Sequence, residues 1–167
     1  MTKQAAKGFL VCVASPDHAI NRISGSAYSE AVRTIGLLRK VAEVVELAAT
    51  NSRAARSEWN SAGLEACDIL PVRRREIGVC LSELMSRGYE GRNTLLIGFG
   101  QDALIAAHQT DSFFFPMLPG SENQCWRALA EEGLPKLLHG TFGGVYQQQL
   151  IARHNSVLKT EKTDKGE

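Results

Sequence analysis

Five short apolar runs, each separated from the next by a stretch of helical period, constrain this chain more than any other feature. The runs are residues 9–14, 44–49, 68–72, 94–97 and 112–118, rich in Val, Leu, Ile, Phe and Ala. Strands buried on both faces read this way, and their alternation with helices marks a parallel sheet covered by helices. After the first run, Ala27, Ala31, Ile35, Leu38 and Val41 recur at steps of three and four, which makes one helix face. A helix carrying Trp59 is expected to stop at Gly63, and another with Val79, Leu81, Leu84 and Met85 to close near Gly88. An alanine-rich helix follows residues 98–102. Ser121 opens a further helix, with Gln124 at capping-box spacing, and a last amphipathic helix covers residues 144–158. Each connection is long enough for a right-handed crossover. The expected fold is therefore α/β: a three-layer α/β/α, Rossmann-like domain around a central parallel sheet of about five strands.

The 167 residues amount to one domain. At this size folding buries roughly 70% of the chain's surface, so a core needs no disulfide or metal to staple it. Residues 1–158 are read as that single domain and residues 159–167 as a charged, frayed tail, since nothing apolar there repays ordering. With 19 basic against 18 acidic side chains, the net charge of +1 creates no whole-molecule field for nucleic acid or an anionic membrane. No apolar run approaches the ~20 residues of a bilayer span, and no secretory signal follows Met1, so a soluble cytoplasmic protein is expected. Cys12, Cys67, Cys80 and Cys125 are scattered with no C-x-x-C pair, and read as small buried hydrophobes.

In such sheets ligands bind beyond the carboxyl ends of the strands. Those ends here carry Ser15-Pro16-Asp17, Thr50-Asn51, Arg73 to Arg75, and Gly98 to Asp102. Every one of these groups has more than one reading. Asp17 is a nucleophile or a turn acid; Asp102 is a metal ligand or a first-turn acid favoured by the helix dipole. Thr50 and Asn51 form an oxyanion site or a helix cap. Arg73 to Arg75 bind phosphate or a nucleic-acid backbone, or make a solvated face. His18 is the histidine near the expected site, with His108, His139 and His154 placed on helices or turns away from it. Gly98-Phe99-Gly100 is a weak dinucleotide signal, because no third glycine is in register and Glu46 lies within the second strand rather than after it.

Residues 95–107, followed by residues 113–126 with their Pro119-Gly120 turn, Glu122 and Trp126, resemble the fourth-motif loop, helix and fifth strand of the haloacid dehalogenase (HAD) superfamily. Residues 47–52, with Trp59 and Gly63-Leu64 behind them, resemble its second motif. Most members are magnesium-dependent phosphohydrolases. A first-motif aspartate attacks phosphorus and a second, two residues on, works as acid and base. A hydroxyl and a cation hold the phosphoryl oxygens, and fourth-motif acids hold Mg²⁺. The resemblance places Thr50, with Asn51 beside it, at the hydroxyl, and Arg74 or Arg75 at the cation. An ungapped reading from Gly98 to Pro116 sets Phe99 and Ala103 at the acidic positions, with Asp102 one residue out of register. Asp17 is the sole acid after the first strand, and the interval from Asp17 to Thr50 is too short for a large cap.

The resemblance thus implies a HAD-like domain without a large cap that lacks phosphohydrolase activity. It would act by binding a protein partner or a small phosphorylated or anionic ligand, with no cofactor, and a homo-oligomer would be one way to close its open site. The alternative it leaves is a Mg²⁺-dependent phosphatase with shifted acids, in which Asp17 is the nucleophile, Asp102 holds the metal, and Thr50 with Arg75 holds phosphate. Neither reading calls for nucleic acid or a membrane.

Overall fold

A computed structural model describes residues 8–15, 28–48, 57, 60–61, 63, 68–72 and 76–165. Among them are five strands: β1 (Phe9–Ser15), β2 (Ala42–Ala48), β3 (Asp68–Pro71), β4 (Thr94–Gly98) and β5 (Phe113–Pro116). They form one sheet in the order β3-β2-β1-β4-β5 with every neighbouring pair parallel. Helices α1 (Ser29–Leu38), α2 (Ile77–Met85), α3 (Gln101–Gln109), α4 (Glu122–Ala128), α5 (Leu134–Leu138) and α6 (Val145–Lys165) flank it. The chain adopts the expected three-layer α/β fold.

Successive side chains of a strand leave opposite faces of the sheet, and β1 shows what this requires. Val11 and Val13 enter an apolar layer with Ile35, Leu38, Trp126, Leu129 and Phe142, beneath α1 and α4. Leu10, Cys12 and Ala14 enter the other, with Leu81 and Leu84 of α2 and Ala103, Ala106 and Ala107 of α3. Both faces are covered, so no polar residue interrupts the strand before Ser15. Cys12, Cys80 and Cys125 are buried free thiols, and burial pushes Cys12 and Cys125 up, away from the reactive thiolate. Cys67 lies outside the described residues.

Helix ends follow their local chemistry in some places and depart from it in others. Gly88, at φ +119°, closes the turn after α2, its amide and that of Tyr89 bonding to the Met85 carbonyl. Within α2 the buried positions are Gly78, Cys80, Leu81 and Leu84, while Val79 is 48% exposed; the apolar stripe is rotated by one residue from its expected course. Ser121 does precede α4, but its side chain makes no capping bond, and Glu122 Oε1 instead accepts the Gly120 amide at 3.0 Å. Nor does α4 end where it began to look complete: a π segment, Leu129–Gly133, carries it into α5. A side chain at Gly133 would have its Cβ 2.9 Å from Leu129 Cδ1 and 3.5 Å from rings of Phe115 and Phe142, so the wider turn is packed tightly onto the sheet. Helix α6 continues through Lys165 rather than stopping at Leu158, with the Thr160 and Thr163 hydroxyls bonded back to the carbonyls of Ser156 and Lys159. No helix among the described residues is long and apolar enough to cross a membrane.

At the amino ends of the strands, Glu43 of β2 pairs with Arg87 and accepts the Tyr89 hydroxyl at 2.7 Å. Burial and the neighbouring carboxylate push the Tyr89 phenol up, which keeps it a neutral donor. This cluster fastens the edge of the sheet opposite the expected ligand site.

The outer edge of β5 is closed by α6. Gln147 Oε1 accepts the Phe114 amide at 2.8 Å and its Nε2 donates to the Phe114 carbonyl at 2.7 Å, so one side chain replaces a neighbouring strand. Helix α6 straddles that edge, with Tyr146, Leu150 and Val157 packing on one apolar layer and Ile151 on the other. Gln147→Glu keeps the acceptor but turns a carboxylate oxygen toward the Phe114 carbonyl. It is expected to cost about 2 kcal/mol at pH 7 and to recover part of that near pH ~4, where a protonated carboxyl donates again. Urea denaturation at both pH values measures the difference.

Candidate functional site

The strand order reverses at β1. From β1 the sheet grows outward through β2 to β3, and the chain then returns to place β4 on the other side of β1. In open α/β sheets a ligand binds beyond the carboxyl ends of the strands at such a reversal, which here are the ends of β1 and β4. Packing is close there: at Gly98, the last residue of β4, a Cβ would lie 3.1 Å from Ala103 Cβ and 3.3 Å from Ala14 Cβ, tighter than ordinary van der Waals contact.

The wall on the β4 side is the loop Phe99-Gly100, leading into α3. Gly100 takes φ +103°, a conformation that favours glycine, and turns its amide away from the helix it caps. That amide donates to Nε2 of His154 at 3.0 Å. The other ring nitrogen, Nδ1, faces Asn155 Oδ1 at 3.2 Å. Phe99 and Phe114 both meet the imidazole in T-shaped contacts with ring centroids 5.2 Å away. His154 is 0% exposed, and burial lowers its pKa, a shift partly opposed by the Asn155 contact. A neutral histidine of α6 therefore holds the loop that walls the site.

His154, expected on a helix or turn away from the strand ends, instead meets the loop that follows β4. Sequence did carry a signal for it. Gln147, Leu150, Ile151 and His154 fall on one face of the last helix, and a polar residue on a stripe that packs against the sheet needs a partner there. His108 and His139 are exposed.

Asp102 is exposed on the first turn of α3, where the helix dipole favours an acid. Ala103 is buried at 2% exposure and Phe99 is half-buried against His154. Mg²⁺ binds oxygen. A phenyl ring and a methyl group offer none at the two positions where the resemblance sets the acids, so the described wall does not fit the ion. Asp17, Thr50, Asn51, Arg74 and Arg75, together with His18, Arg73 and Trp59, lie outside the described residues. In the chain they follow the ends of β1, β2 and β3. Glu46 is inside β2, as its sequence position implies, and is buried at 2% exposure.

No family model matches the chain, and neither a curated protein nor a solved structure does, so the functional reading rests on the fold and on the geometry of the β4–α3 corner.

Proposed function

We propose that this chain is a HAD-like binding domain that has given up the phosphohydrolase reaction and takes a small phosphorylated or otherwise anionic ligand at the carboxyl ends of its strands. The observation that carries the reading is the corner after β4. Where a phosphohydrolase of this architecture needs oxygen ligands, this chain has Phe99 packed on His154 and Ala103 buried on the inner face of α3. Losing metal-binding acids alone removes orders of magnitude in rate, whereas anion binding needs only the hydroxyl and cations that the resemblance assigns to Thr50, Arg74 and Arg75. The phosphatase alternative calls on Asp102, and its place on the first turn of α3 is accounted for by the helix dipole.

Purified protein with Mg²⁺ is expected to show no turnover of an aryl phosphate above the buffer rate. Inorganic phosphate, titrated into labelled protein, is expected to shift the Gly98, Phe99 and Gly100 amides, and Arg74→Ala with Arg75→Ala to weaken that binding about tenfold or more. Saturable hydrolysis abolished by Asp17→Ala would overturn the reading in favour of the phosphatase. Absence of any phosphate-dependent shift at millimolar concentration would overturn its ligand class.

A further inference from the structure

Helix α6 and the β4–α3 loop meet through one hydrogen bond whose acceptor is titratable. The carboxamide oxygen of Asn155 can only accept, so His154 Nδ1 carries the ring proton, which leaves Nε2 as the bare nitrogen that receives the Gly100 amide. A second ring proton has nowhere to go except Nε2. There it would face an N–H instead of a lone pair, and the resulting imidazolium would sit between two phenyl rings with no solvent. Loss of the bond and the cost of a desolvated charge act in the same direction.

We propose that the His154–Gly100 bond is an acid-released latch: the neutral ring holds the β4–α3 loop against α6, and protonation frees that loop at the carboxyl end of β4. The surroundings carry little that would oppose release. Among the described residues, β5 brings Phe114 to the ring, and the loop brings Phe99 and Gly100. Asp102 on α3 is exposed, as are Arg153 and Lys159 on α6; Glu161, two turns along the same helix face, is half-buried. Burial is the larger influence on the ring and the Asn155 contact the smaller, opposing one. The other end of the interface, Gln147 on Phe114, does not titrate and stays closed. The latch stands whether or not the strand ends bind an anion.

The sign follows from linkage. A histidine whose folded-state pKa lies below its unfolded value favours the closed state fully above about pH 6.5. That preference is lost as pH falls from there toward the folded-state value. The opened loop binds the proton freely, so its population grows about tenfold for each pH unit across that window.

The test uses the full chain, uniformly ¹⁵N-labelled, with His154 ring shifts and amide exchange followed from pH 7.5 downward. Expected is a Gly100 amide less protected than that of Val11 at every pH, losing about tenfold of its protection per pH unit below about 6.5. His154→Gln, which can keep an oxygen acceptor without titrating, is expected to flatten that dependence. Gly100 protection that stays constant while the ring titrates would overturn the latch. So would Gly100 and Val11 exchanging at one common protection factor, a ring that does not titrate before the fold is lost, or a His154→Gln variant with the pH dependence of the parent.

Discussion

Trp126→Ala is expected to remove about 3–5 kcal/mol of folding stability, a large fraction of the ~5–15 kcal/mol that a domain usually possesses. Trp126 is 0% exposed and, among the described residues, heads the fully buried side chains by volume, in the same apolar layer as Ile35, Leu38, Leu129 and Phe142. Truncation removes the transfer free energy of an indole and leaves a cavity that neighbours fill only in part. Relaxation is restricted on both sides. The Trp126 carbonyl accepts the buried Thr34 hydroxyl at 2.8 Å, and the Asn123 side chain accepts the Glu30 amide at the start of α1, so α4 cannot slide toward the sheet without straining its junction with α1. Urea denaturation followed by far-ultraviolet circular dichroism should show a lower midpoint with the slope preserved. A loss under about 1 kcal/mol would mean that the indole is not packed between α4 and the sheet.

The layers were legible in the sequence because the sheet is covered on both faces. Leu95, Leu96 and Ile97 are each fully buried although they alternate between layers, so the run contains no polar residue to obscure it. Legibility fails where a residue's role depends on a partner distant in the chain. β2 starts at Ala42, before the expected Val44, because Glu43 is accommodated by Arg87 and Tyr89, partners that no local pattern announces. The turn from α4 into α5 is a π segment whose shape is set by contact of Gly133 with Phe115 and Phe142 rather than by propensity. At the site, the lack of acids at Phe99 and Ala103 was readable directly. The position of His154 was not, since its helical face is local information but the course of α6 over the edge of β5 is tertiary. Asp17, Thr50, Asn51, Arg74 and Arg75 follow strands whose carboxyl ends share one edge of the sheet, and that topology was what the alternation of elements implied.

A methyl group added at Gly91 should destabilise the fold by about 3 kcal/mol, the upper end of ordinary overpacking. Two effects compete there. Gly91 has no positive φ, so alanine would reduce the entropy of the unfolded chain and, acting alone, stabilise by about 0.4–1 kcal/mol. Against that, a Cβ at Gly91 would lie 2.1 Å from the Asp111 carbonyl oxygen and 2.7 Å from its carbon, and those are backbone atoms that no rotamer change can move aside. The Asp111 turn is also tied down. Asp111 already occupies φ +53°, the Ser112 amide donates to Ala107, and the Thr110 hydroxyl reaches both the Ala106 carbonyl and Ser112 Oγ. Steric repulsion therefore wins, and because these two turns lead into β4 and β5, the displacement would be transmitted to the register Leu95↔Phe113. Gly36→Ala supplies the opposite sign in the same experiment. It is exposed within α1 with nothing within 4 Å of its would-be Cβ, so alanine there is expected to stabilise by about 0.5–1 kcal/mol. Denaturation midpoints moving down for Gly91→Ala and up for Gly36→Ala would show that contact geometry, not glycine content, sets the outcome. A neutral or stabilising Gly91→Ala would mean that the two turns do not approach as closely as these distances require.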